Sequence, residues 1–317
     1  MARGLWHAHG MRACPWLVIV ASIGCGGAAA KPDYPSLAPT SAGDAPAAGD
    51  EDVAAAPAPD PAEFAPPPSQ PTGAPIAITW APLAVDLRRT RDITHHALYT
   101  TTSDTGGRRQ RTERHFHAAE RIAAVAAGRP TALAATFDDG RETITFAGSA
   151  PIGQTLVTGE YRIEVGADGA TVEVSRGGSG YPIGDREREE LAGIYGGGEL
   201  GRDAPLLAVM AGHALRVGET VELTKAEQTA AGGGEPLDVP IHLSLTGVAD
   251  GVATYQFVFF VTATRPDGYD ARGVKLVFAV EVATGRVRSI SAIDARTDTS
   301  PAMQATSRMT ETTTITY

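Results

Sequence analysis

Beyond Ile76 apolar and polar residues alternate, and short Gly-containing stretches interrupt the alternation, so the sequence predicts a series of antiparallel hairpins. Gly159–Arg176 is the clearest: Tyr161, Ile163 and Val165 alternate with Arg162 and Glu164, and Ala167-Asp168-Gly169 makes the turn into a return strand over Thr171–Ser175. A second hairpin, Ile241–Thr264, turns about Ala249-Asp250-Gly251. Its return arm, Tyr255–Val261, is apolar on both faces, as expected of a strand covered on both sides. A third, Val274–Arg296, turns about Thr284-Gly285, with Val274, Leu276, Phe278, Val280 and Val282 on one face and Lys275 and Glu281 on the other. Residues 308–317 read as a last strand, with Met309, Ile315 and Tyr317 on one side and Arg308, Thr310, Thr312, Thr314 and Thr316 on the other.

Helical spacing is rarer. Asp185 can cap a helix in which Leu191, Ile194 and Tyr195 form an apolar patch and Gly196–Gly198 is the stop. A second helical stretch runs over Pro205–Ala214. In Ala118–Ala135 the alanines favour helix, but Gly128-Arg129-Pro130 between two short apolar runs predicts a hairpin. The fold class is therefore mainly β (α+β): a curved antiparallel sheet or half-barrel of long hairpins with one or two short helices.

Composition changes the picture at the N-terminus. From Gly26 to Pro75 the chain holds 12 of its 22 prolines and 15 alanines, with seven acids and one base. Such a stretch buries too little apolar surface to offset the entropy of ordering it, so it is expected to be a disordered tether, spanning about 40 Å on average as a flexible coil. Before it, Arg12-Ala-Cys-Pro-Trp-Leu-Val-Ile-Val-Ala-Ser-Ile-Gly-Cys25 has the layout of a secretory signal: a basic residue, an apolar run too short to cross a bilayer, then small residues. Met11 begins a more compact signal than Met1 and is the better start. The expected divisions are 1–24, signal peptide; 25–75, modified N-terminus and tether; and 76–317, β-rich globular domain.

Ser22-Ile23-Gly24-Cys25 resembles the lipobox of bacterial lipoproteins, with Ser22 in place of the usual Leu. The resemblance implies cleavage before Cys25, acylation of that residue and a membrane anchor; two or three acyl chains hold stably because each buried methylene adds about 0.8 kcal/mol. Cys25 is also the last cysteine of the chain. The plain alternative is an ordinary signal peptide with an incidental cysteine. Gly26 differs from the Asp that resembles an inner-membrane retention signal, which favours the outer membrane. The hairpin series, together with Arg216-Val-Gly-Glu-Thr-Val221 leading into a strand, is similar to bacterial envelope lipoproteins whose bodies resemble the curved half-barrels of periplasmic lipoprotein carriers. These motifs are unspecific and carry over no site residues.

Charge and cysteine content exclude several functions. The net charge is -10, and the bases are mixed with acids throughout, which argues against nucleic acid as a partner. With no cysteine after residue 25, a disulfide framework, a thiolate zinc site and a cysteine nucleophile are ruled out in the body. Gly177-Gly-Ser-Gly-Tyr181 misses the nucleophile elbow by its last residue, and Gly196-Gly-Gly-Glu-Leu-Gly201 follows a helix where a dinucleotide fingerprint needs a strand. Asp138-Asp139-Gly140 reads as a turn.

One constellation remains. Strands over Asp86–Thr101 and Arg108–Ala119 flank Asp104-Thr-Gly-Gly107, and pairing Ser103 with Arg108 puts His96 opposite His115, with His117 and Glu113 on the same face. Ile93, Ala97, Tyr99, Phe116 and Ala118 then form the core side. His96, His115 and His117 are thus candidate ligands for zinc or copper. The plainer reading is a solvated hairpin face rich in Arg and His, with no cofactor. The hairpin's arginines (Arg88, Arg89, Arg91, Arg108, Arg109, Arg111, Arg114) could meet anionic headgroups or wall polymers, or serve as ordinary edge-strand charges. The expectation is a secreted envelope lipoprotein, anchored to the membrane through Cys25, that binds an envelope protein, a polymer or an apolar ligand without catalysis. The alternatives are a metal-binding or hydrolytic protein built on the three histidines, and a purely structural surface protein.

Overall fold

The computed structural model describes residues 53–317 except 105, 127–128, 166–171, 178–181, 196–204, 233–237 and 267. The signal, Cys25, the glycine-rich stretches after Gly177 and Tyr195, and the turn at 167–169 therefore lie outside the described residues. The strands are β1 (Thr72–Ile76), β2 (Arg88–Ser103), β3 (Gly106–Ala126), β4 (Arg129–Phe146), β5 (Ile152–Thr155), β6 (Gly159–Val165), β7 (Val172–Arg176), β8 (Leu215–Val217), β9 (Thr220–Glu222), β10 (His242–Ala249), β11 (Val252–Arg265), β12 (Gly268–Glu281), β13 (Val287–Ser300) and β14 (Met303–Thr316). Three helices are described, α1 (Asp185–Tyr195), α2 (Pro205–Gly212) and α3 (Lys225–Gly232).

Twelve strands make one curved antiparallel sheet that does not close into a barrel. Its order is β7-β6-β4-β3-β2-β14-β13-β12-β11-β10-β9, with β5 also paired to β4, while β1 and β8 form a separate pair. The last strand lies beside β2, so β2–β14 pairing joins two series of hairpins into one sheet. Both edges are short, five residues at β7 and three at β9, which leaves little unpaired backbone. The predicted hairpins form, including β3–β4 where helix and hairpin competed. At the β10–β11 turn Asp250 and Gly251 have φ of 50° and 75°, the left-handed pair that a two-residue hairpin turn of this hand requires.

One face of the sheet carries the core. Near one edge, Leu243, Tyr255, Phe278 and Val280 pack with Leu206, Leu207 and Met210 of α2. Near the other, Phe116, Leu133, Phe137 and Ile163 pack with Leu191 and Tyr195 of α1. Burying each such side chain contributes about 1.5–3 kcal/mol. The cap of α1 differs from expectation. Gly184 stands at the cap, its carbonyl accepting the Arg188 N–H at 2.9 Å while Glu187 reaches back to its N–H at 3.3 Å; Asp185 instead pairs with Arg188. The third helix, α3, was not expected. Its signal stands in the sequence as Thr224-Lys-Ala-Glu227, a capping box in which the Thr224 hydroxyl accepts the Glu227 N–H at 3.3 Å and the Glu227 carboxylate accepts the Thr224 N–H at 2.8 Å.

The expectation of a disordered tether running to Pro75 fails from Val53 onward. Val53, Ala56 and Phe64 are buried, the last two on the face opposite the core, and β1 straddles the expected boundary at 76. A tight turn at Asp60–Phe64 presents Phe64 to Gly273, where a Cβ would collide with its ring, and Phe64 stacks on Phe260 at 6.2 Å. Glu63 grips Arg308 through both oxygens, and the Ala56 N–H donates to the Thr100 hydroxyl at 2.8 Å. Prolines had counted towards disorder. They also lower the entropy lost on ordering, so one aromatic anchor and one bidentate ion pair suffice to dock the strap. This strap covers the doubly apolar Tyr255–Val261 on its second face, where Phe64 stacks on Phe260; Val258, on that same face, is fully buried.

Candidate functional site

The β2–β3 hairpin brings together most of the chain's unusual polar side chains. Ser103 pairs with Gly106, a register two residues away from the expected one. A shift of two preserves every face and changes every partner. His96, His115, His117 and Glu113 therefore share the open face as expected, but His96 stands opposite Glu113, His115 opposite Thr94 and His117 opposite Asp92. The predicted core side also holds, with Ile93, Ala97, Phe116 and Ala118 buried.

On the open face each of the three imidazoles meets a carboxylate. His115 Nδ1 lies 2.8 Å from Asp139 and its Nε2 3.4 Å from Asp92; His117 Nδ1 is 3.3 Å from Asp92, and His96 Nδ1 is 3.4 Å from Glu113. Of the three, His115 has a carboxylate near each ring nitrogen, whereas His96 and His117 each have one, at Nδ1. Among the described residues, no group of three or more His, Cys, Asp or Glu is arranged to hold an ion.

Asp139 reaches His115 because Asp138-Asp139-Gly140 is not a turn. β4 runs straight through it, with the pairing register slipping between His117 and Ala118 so that Asp138 is the extra residue of a bulge. Gly140 serves close approach: a Cβ there would strike Val157, and its carbonyl accepts the Leu156 N–H at 2.7 Å.

On the core face the same hairpin buries an ionic cluster. The Glu120 carboxylate accepts from Arg89 Nε at 2.5 Å, from Arg91 Nε at 2.7 Å and from the Tyr195 hydroxyl at 2.8 Å. Burial alone would raise the Glu120 pKa; the two guanidiniums overcome this and hold it at about 2. Burial, and then the charge of Glu120, push the Tyr195 phenol well above its ordinary value, so it stays a donor. Further along that face Arg114 pairs with Glu142 at 2.7 Å and with Glu190 of α1 at 3.2 Å, and Arg186 of α1 reaches Glu142 at 3.0 Å. The arginines of the hairpin thus separate: Arg89, Arg91 and Arg114 fasten α1 to the sheet, while Arg88, Arg108 and Arg109 stay exposed. His95, which the sequence reading passed over, is the buried histidine of this hairpin, with Nδ1 3.5 Å from Glu311 and no hydrogen-bond partner on Nε2. Its signal was parity, since 95 falls on the face of Ile93 and Ala97. Away from the hairpin, His213 pairs with Glu227 at 2.7 Å between α2 and α3.

No described helix is long and apolar enough to cross a membrane. No protein-family model matches the chain, and no curated protein matches it. Among solved structures, lipovitellin, in a structure of its lipid–protein interactions, is similar with a TM-score of 0.36 and 6% identity over 70% of this chain and 25% of that one. A protein of the dynemicin biosynthesis pathway of Micromonospora chersina gives 0.18 and 7% over 77% and 87% of the two chains. An outer membrane channel from Pseudomonas putida F1 gives 0.21 and 6% over 74% and 97%. The chain spans about a quarter of the lipovitellin chain. All three likenesses are distant.

Proposed function

We propose that the protein is a lipid-anchored, non-enzymatic binding module of the cell envelope, tethered through Cys25 and presenting the uncovered polar face of β4, β3, β2 and β14 to a partner or polymer there. The observation that carries this reading is the unequal cover of the open face. The strap from Val53 packs over the region of Phe260, Gly273 and Arg308, whereas His96, Arg88, Arg109, Thr312, Thr314 and Thr316 remain exposed and His115 and His117 half-buried. A polar or charged partner suits that face better than an apolar ligand suits the core face, whose side chains pack against α1 and α2. Fractionation of the native envelope tests the anchor. The wild-type chain is expected with the membranes after a high-salt wash, and Cys25→Ser in the soluble fraction. Retention of Cys25→Ser in the membranes contradicts the anchor.

A further inference from the structure

We propose that the end of the open face formed by Arg88, Thr90, Arg121, Thr136 and Thr316 is a binding site for a phosphate group. Arg88 and Arg121 stand directly opposite each other across β2 and β3. Like charges in that position repel, so the pair is a cost to the sheet unless something negative lies between them. Arg121 has Asp86 at 2.8 Å, on an exposed residue held at φ 67°. Among the described residues no carboxylate pairs with Arg88.

The remaining charges near this place reduce the surplus without removing it: on β6, Glu160 stands opposite Thr136, and Arg162, opposite Ala134, pairs with Glu164 at 2.7 Å. Arg89, Arg91 and Glu120 are joined in the buried cluster on the far side of the same strands. Counting Arg88, Arg89, Arg91, Arg121 and Arg162 against Asp86, Glu120, Glu160 and Glu164 leaves a net of +1, in a chain whose net charge is -10. Beside it the Tyr317 ring lies under Arg286 and Arg288, at 5.1 and 5.6 Å, with Glu281 on Arg288.

Shape and donors agree with the charge. Arg88, Arg89 and Arg121 border a surface concavity of about 520 Å³, which Thr90, Thr136 and Thr316 line from three different strands and to which Glu120, its charge already taken by Arg89 and Arg91, also contributes. Guanidiniums recognise tetrahedral oxyanions through paired, charge-assisted N–H bonds, and hydroxyl groups beside them add neutral donors. A phosphate ester, carrying one to two negative charges and several acceptor oxygens, matches this set. It could belong to a soluble phosphorylated compound or to a lipid headgroup, and the site is independent of whether Cys25 carries a lipid.

The test uses the full-length chain with Cys25→Ser. Calorimetric titration with inorganic phosphate at low ionic strength, against sodium chloride as control, is expected to show saturable binding. Arg88→Gln and Arg121→Gln are each expected to weaken it about tenfold, the loss of a charge-assisted contact, whereas Arg216→Gln, exposed on β8 and outside the concavity, leaves it unchanged. Co-sedimentation with phosphatidylcholine vesicles, with and without phosphatidic acid, identifies the source. Binding that needs phosphatidic acid and is competed by phosphate assigns the site to a headgroup; phosphate binding without vesicle binding assigns it to a soluble ligand. Absence of saturable phosphate binding, or binding that neither arginine substitution weakens, overturns the proposal.

Discussion

Glu120 sits where a carboxylate is tolerated only because two arginines and a tyrosine surround it. A buried ion pair adds little net stability over an apolar replacement, but removing one partner strands the others and costs about 3–5 kcal/mol. Glu120→Gln, which leaves Arg89 and Arg91 buried without their counter-ion, is expected to lower unfolding stability in urea by that amount. The pH dependence follows from the direction of the shift. Because the folded pKa of about 2 lies below the unfolded value of 4.5, the contribution is fully present above pH 4.5 and is lost as pH falls towards 2. Glu120→Gln should therefore flatten the acid limb of the stability curve, and a limb of unchanged slope would show that Glu120 does not govern it. Asp294 works in the opposite sense: burial raises its pKa against the pull of Arg272, so it does not steepen the acid limb. Little of this was legible in the sequence. Alternation places Arg89, Arg91, His95 and Glu120 on the core side with Ile93 and Phe116, yet a charged residue reads as solvent-facing until its partners are known. Those partners come from β3, β14 and α1, far apart along the chain.

At the scale of elements, turn chemistry was the most readable signal, because a hairpin turn is decided by the few residues in it. Asp250-Gly251 needs left-handed backbone and has it. Gly140 and Gly273 were harder, since their lack of a side chain answers to another segment of the chain, and neither Val157 nor Phe64 can be paired with them by pattern. The two-residue offset at the tip of β2 and β3 is a failure of the same kind. It kept the faces of His96, His115 and His117 and changed what each of them meets. The strap yields a prediction of its own. Gly273→Ala places a methyl group where the Phe64 ring lies, and Phe64→Ala empties that place; a buried Phe→Ala change costs about 3–5 kcal/mol. Both variants are expected to release the segment from Val53 to about Gln70, so that limited proteolysis clips it while the sheet stays resistant. Equal resistance of variant and wild type would mean that Phe64 does not hold the strap.

For the whole molecule, the mainly β class followed from the hairpin series, because long antiparallel arms with short turns pair with their neighbours, while the curvature followed from Tyr255–Val261, apolar on both faces. That β14 would lie beside β2 did not follow, since no local pattern links two strands separated by nearly the whole body. The domain boundary moved for a related reason: composition averages over the Pro/Ala stretch, whereas Phe64 and Glu63 act singly. A polar face left open by the strap and a cysteine placed before a Pro/Ala segment make one account of a module held close to a membrane. Intact-mass measurement of the chain extracted from native envelope membranes tests that account most directly. It predicts a mature chain that begins at Cys25 and carries a diacylglyceryl group, with or without a third acyl chain; a mature chain beginning elsewhere, or beginning at Cys25 with a free thiol, would contradict it.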